Sequence, residues 1–179
     1  MPAPPAAGPA DQPPPPCTAP LPAAGEPAPD LTLPAAPGGD PLTLSDVWAS
    51  GPVVVYFYPK DATPGCTTEA CDFRDRHAEL RSLGCTVLGV SPDPPASHER
   101  FIGKQSIPFP LLCDEAKTAA VAYRVWREKK NFGRTYAGVQ RATFLIARGG
   151  TVAAAWPKVR VKGHADAVFA AVRELAATP

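Results

Sequence analysis

A continuous apolar run, Val53-Val-Val-Tyr-Phe-Tyr58, is β-branched and aromatic throughout and shows no polar alternation, which predicts a strand buried on both faces. Pro59 ends it. The period then changes: Ala70, Phe73, His77 and Leu80 recur at helical spacing, predicting an amphipathic helix that runs to about Gly84. Thr63-Pro64 marks its start, with a hydroxyl at the N-cap and proline at the first helical position. Cys85 to Ser91 reads as a second buried strand, Ala96 to Gln105 as a short helix, and Phe109 to Cys113 as a third strand. Asp114 is expected to cap a helix through Ala120 and Val121. Arg141–Ala147 and Thr151–Trp156 form a hairpin across Arg148-Gly149-Gly150, and Ala165 to Ala177 closes the chain as a helix with Val168, Phe169, Val172 and Leu175 on one face. Upstream, Leu31-Thr-Leu33 and Leu42-Thr-Leu44 alternate on either side of Pro37-Gly-Gly-Asp40, a further hairpin, followed by a helical turn holding Val47 and Trp48. Strands interleaved with helices, then a hairpin and a closing helix, predict an α/β domain.

Composition alters that picture mainly at the N-terminus. Of 25 prolines, 15 lie in the first 41 residues, so residues 1–25 read as a Pro/Ala-rich disordered or polyproline-like extension ahead of a domain over 26–179. Neither Lys nor Arg occurs before Lys60, which excludes a secretory signal or an Arg-rich transit peptide as the reading of this stretch. The net charge of +1 with interspersed signs points to no nucleic-acid or anionic-membrane partner, and no apolar run approaches the roughly 20 residues of a membrane helix. Residues 125–138 are basic, with Arg127, Lys129, Lys130 and Arg134; they read as a solvated loop or as a docking surface for an acidic redox partner.

Five irregularly spaced cysteines argue against a secreted disulfide framework and for a reducing compartment, the cytoplasm, with the thiols used for chemistry. There is no Cys-x-x-Cys pair to suggest structural zinc. Cys66 falls in the first turn of the helix that leaves the central strand, where unpaired N–H groups and the macrodipole favour an anion and hence the reactive thiolate. Cys71, five residues on, supplies a second thiol that could resolve whatever Cys66 becomes. Cys85 reads as a core residue and Cys17 as an exposed, incidental thiol. His77, His98 and His164 form no ligand cluster in sequence and read as surface or packing residues, and no cofactor or metal is implied.

Pro59-x-x-x-Thr63-x-x-Cys66, with Cys71 following, resembles the active-site signature of the peroxiredoxins, in particular the bacterioferritin comigratory protein or peroxiredoxin Q subfamily. Val125–Lys130, Gly138–Ile146 and Val161–His164 resemble the same subfamily in the same order. Cys113 departs from the pattern, which has a small polar residue there. The resemblance implies a thioredoxin-like sandwich with a central mixed sheet flanked by helices, and a monomer without cofactor that reduces hydrogen peroxide or organic hydroperoxides. It further implies Cys66 as the attacking thiolate, Arg141 and Thr63 as partners of the thiolate and the peroxide oxygen, and Pro59 as a screen against water. Cys71 would form an intramolecular disulfide with Cys66 for a thioredoxin-type dithiol to reduce. A thiol–disulfide oxidoreductase, or a redox-sensing binding module on the same fold, stands as the alternative.

Overall fold

The computed structural model describes residues 12–179. Its centre is β3 (Val53–Phe57), buried at every position. β3 pairs in parallel with β4 (Thr86–Ser91) and antiparallel with β8 (Ala142–Ile146), so both its edges are hydrogen-bonded and both its faces are covered. That double covering is why the sequence there does not alternate. β5 (Leu111–Cys113) lies parallel to β4, β1 (Thr32–Ala36) and β2 (Pro41–Thr43) continue that flank, and β9 (Val152–Trp156) closes the other. The seven-stranded mixed sheet has the order β2-β1-β5-β4-β3-β8-β9.

Alternation along β3 divides the core in two. Val53, Val55 and Phe57 pack with Trp48, Tyr123 and Phe144 on the face covered by α1 (Leu44–Trp48) and α4 (Thr118–Ala122). Val54 and Tyr56 point the other way. They meet Phe73 and Leu80 of α2 (Pro64–Ser82), Phe101 of α3 (Pro95–Gln105), and Val168 and Val172 of α5 (His164–Ala177). The α/β sandwich expected from the sequence is present.

Two regions differ from expectation. Residues 125–138 are not a loop: β6 (Trp126–Asn131) and β7 (Arg134–Val139) form a two-stranded antiparallel sheet of their own. Its charged sequence hid the strands, because only Trp126 and Val139 at its base are buried. The second difference concerns the N-terminal extension. Residues 12–25 do not hang free but lie against this hairpin and against β9. Trp126 Nε1 donates to the Pro14 carbonyl (2.7 Å), and Arg127 Nη1 donates to the carbonyls of Cys17 (2.8 Å) and Ala19 (2.7 Å). Arg124 Nη1 donates to Pro20 (2.6 Å), and the N–H of Gly25 to Val152 (2.8 Å). A proline-rich chain lacks N–H groups but keeps its carbonyls, so it docks as an acceptor for side-chain donors. Cys17 is accordingly half-buried against the core rather than exposed. Residues 1–11 of the expected extension lie outside the described residues.

Candidate active site

The carboxyl end of β3 delivers the chain into a short loop, and α2 begins with Thr63 as N-cap and Pro64 as its first residue. The helical ladder opens with the Thr67 N–H donating to the Thr63 carbonyl at 2.8 Å. The N–H groups of Gly65 and Cys66 precede it and have no acceptor within the helix, so they aim toward whatever occupies the space before the first turn. Cys66 is the third residue of the helix and is 1 % exposed.

Arg141, immediately before β8, reaches across to this turn. Its Nη2 lies 3.1 Å from Cys66 Sγ and its Nη1 donates to Glu69 Oε1 at 3.1 Å. One planar guanidinium therefore spans a thiol and a carboxylate one helical turn apart. Gly65 makes room for it: a Cβ there would stand 3.2 Å from Arg141 Nη2. Glu69 is almost wholly buried, and burial pushes its carboxyl up to about 7 despite the opposing Arg141 charge. Its second oxygen, like the hydroxyl of Tyr56, has no hydrogen-bond partner among the described residues.

Thr63 Oγ1 donates to the Lys60 carbonyl at 2.8 Å, which leaves its lone pairs, not its proton, available to an incoming ligand. Pro59 lies in the same loop, which is braced from below. Asp61, 6 % exposed, accepts from Tyr58 (2.7 Å), Ser97 (2.8 Å) and His98 Nδ1 (2.7 Å), while His98 Nε2 donates to the Leu112 carbonyl (3.0 Å). Burial works against the Asp61 carboxylate, but these hydrogen bonds, led by His98, hold it below its usual range. Both ring nitrogens of His98 are thus hydrogen-bonded, and this buried Asp61–His98 pair holds the loop on which Ala62 adopts φ +60°. Asp61, Asp93 and His98 do bring ligand atoms within 4.8 Å of one another, but hydrogen bonds already engage both Asp61 oxygens, Asp93 Oδ2 and both His98 nitrogens. Sequence inspection missed this network because its partners lie 37 positions apart.

The other thiols are placed differently. Cys71 is half-buried on α2, with Sγ 3.5 Å from Gln105 Oε1 at the end of α3. Burial pushes the Cys85 thiol up to about 12. Burial together with the nearby Glu115 carboxylate pushes that of Cys113 up to about 11. Both are core residues unsuited to act as nucleophiles at neutral pH. His164 accepts or donates at Thr143 Oγ1 (2.8 Å) and is pushed down to about 4 by burial and by Arg141, so it is neutral.

A buried thiol at a helix start, held by a guanidinium, is suited to attack a polarised O–O bond. Comparison with known proteins agrees. A family model described as AhpC/TSA family matches residues 24–155. The chain is 45 % identical over 151 residues to the Bacillus subtilis peroxiredoxin Bcp, covering 84 % of this chain and 95 % of that one. The chain belongs to the peroxiredoxins. Within the family it is of the Bcp or peroxiredoxin Q type. The structure of Xanthomonas campestris peroxiredoxin Q superposes with a TM-score of 0.77 at 44 % identity, over 82 % of this chain and 91 % of that one. A mutant of Xylella fastidiosa peroxiredoxin Q gives 0.82 at 34 % identity, over 88 % and 99 %. A further structure of the Xanthomonas bacterioferritin comigratory protein bears on alkyl peroxide reduction. This peroxiredoxin is thus a thiol-dependent peroxidase on a thioredoxin-like fold. Among the described residues no helix is long and apolar enough to cross a membrane.

Proposed function

We propose that Cys66 is the peroxidatic thiolate and Cys71 the thiol that resolves it, in a monomer working in a reducing compartment such as the cytoplasm. The observation that carries this reading is the 3.1 Å approach of Arg141 Nη2 to Cys66 Sγ at the first turn of α2. The guanidinium favours the thiolate and then shares its donors with the peroxide oxygens, assisted by the free N–H groups of the turn. Thr63 Oγ1 accepts the O–H of the bound hydroperoxide, which orients the distal oxygen toward sulfur. Pro59 adds no competing donor and screens the site from water. The thiolate attacks that oxygen, the O–O bond breaks, and the alkoxide or hydroxide leaves and takes up a proton, so Cys66 becomes a sulfenic acid. Cys71 then displaces the hydroxyl as water, giving an intramolecular disulfide. A thioredoxin-type dithiol reduces it and is itself oxidised to a disulfide.

Rapid-mixing kinetics with one equivalent of hydrogen peroxide, followed by mass spectrometry, tests the assignment. Cys66→Ser should be inert, whereas Cys71→Ser should react once and stop at a sulfenic acid. A fast first reaction in Cys66→Ser, with Cys71→Ser inert, would reverse the two roles.

A further inference from the structure

The β6–β7 hairpin carries a feature that folding does not require. Phe132 stands at its tip, 98 % exposed, with a left-handed backbone (φ +49°) followed by Gly133 at φ +74°. This tight turn favours Asn or Asp before Gly, and a bulky residue there is both strained and wasted as core. Of the three large exposed apolar side chains among the described residues, two, Phe132 and Tyr136, belong to this hairpin. Around them are the cations Lys129, Lys130 and Arg134, set against the single acid Glu128.

The hairpin is also placed by the reaction centre. Its second strand ends at Val139, two residues before Arg141. Lys129 pairs across the sheet with Tyr136 and shares a face with it. Burial lowers the Lys129 ammonium, Arg141 lowers it further, and Cys66 acts in the opposite sense, so Lys129 lies within electrostatic reach of the site. Six residues per strand at about 3.3 Å each put the tip roughly 20 Å from the base. A small dithiol or a simple hydroperoxide is far shorter than the hairpin and cannot cover it from base to tip. A protein can, since a standard interface of about 800 Å² per partner is roughly 30 Å across.

We propose that the hairpin tip and one face, Phe132 with Tyr136, Lys129 and Arg134, form the docking surface for the protein dithiol that reduces this enzyme. The occupant is a protein whose thiols sit beside an apolar patch bordered by carboxylates, complementary to the aromatic tip and its cations. This rests on the reading that such a dithiol recycles the Cys66–Cys71 disulfide. The partner's thiolate attacks that disulfide and forms a mixed disulfide, freeing one thiol of this chain. Its second thiol then displaces the other, so two electrons pass from partner to enzyme.

The test uses the full chain, with a thioredoxin, its reductase and NADPH in one arm and dithiothreitol in the other. Phe132→Ser and Arg134→Glu should each raise KM for thioredoxin about tenfold, as loss of an interface anchor does. Turnover with dithiothreitol and the rate of the first peroxide reaction should not change. Added salt should raise the wild-type KM and affect Arg134→Glu less. Wild-type turnover by thioredoxin with an unchanged KM in both variants overturns the docking surface alone. Turnover by dithiothreitol but not by thioredoxin overturns the recycling reading and the docking surface with it. If Phe132→Ser leaves KM unchanged but abolishes binding to phosphatidylserine vesicles, the tip is a lipid contact and the proposal fails.

Discussion

Arg141 holds Cys66 and Glu69 with two nitrogens of one planar group, so its replacement removes charge and geometry together. Arg141→Met should slow peroxide attack by roughly a hundredfold or more, the usual cost of losing one preorganised donor to a developing anion, while the circular dichroism spectrum stays as it is. Stopped-flow measurement at neutral pH checks this, and an unchanged rate would remove Arg141 from the site. Glu69 makes a separate prediction. Its carboxyl titrates near 7 when folded, against an ordinary value of 4.5, because burial disfavours the anion. Between those values the folded state binds the proton that the unfolded state has released, so stability falls as pH rises through this window. Glu69→Gln, with no proton to lose, should flatten that stretch of the stability profile in urea titrations from pH 4 to 8. At this scale Cys66 was legible from its position at a helix start, whereas the residue type of Arg141 did not define a role. Only the family pattern pointed to Arg141, whose contact with Cys66 spans 75 positions of sequence.

α2 is a continuous helix from Pro64 to Ser82, and Cys66 and Cys71 both lie within it. Five residues of intact helix separate their Cα atoms by roughly 8 to 9 Å, whereas a disulfide needs about 4.4 to 6.8 Å. The proposed Cys66–Cys71 disulfide therefore requires the first turns to unwind, and Cys71 to leave Gln105, before it can close. Phe73, fully buried and stacked on Tyr56 at 4.8 Å, and Arg74, which donates to the Gln105 carbonyl at 2.7 Å, set the far limit of that unwinding. Amide exchange of reduced and oxidised protein should show protection lost from Thr67 to about Asp72 and kept beyond Arg74. Equal protection in both forms would mean that Cys71 does not bond Cys66 in this way. The sequence disclosed α2 and the closing helix because each buries a periodic apolar face, and the buried strands because they are apolar on both faces. It concealed β6 and β7, whose outward residues are charged and whose pairing needs only a tight turn.

The molecule as a whole is tied together by a segment that composition alone would discard. Residues 14–20 supply carbonyls to Trp126, Arg127 and Arg124, so the hairpin stands on the proline-rich chain as well as on the core. A chain beginning near Gly25 should be less stable by about 1–3 kcal/mol, given the modest net worth of hydrogen bonds exchanged for water. It should also be cleaved sooner by protease between Trp126 and Val139, which limited proteolysis would reveal. Unchanged stability would mean that these contacts are replaced by solvent at no cost. The two-sided sheet has an optical consequence as well. Trp48 and Trp126 lie in the cluster on the α1 and α4 face, whereas Trp156 packs against the cluster on the α2 face, edge-on to His164 at 5.7 Å. Of the three indoles only Trp156 packs against the cluster that holds α2, so an emission change linked to the proposed unwinding should come from it. Intrinsic emission from this chain is thus a steady background from Trp48 and Trp126 with a single redox-responsive lamp, Trp156, and the oxidation-linked change should vanish in Trp156→Phe.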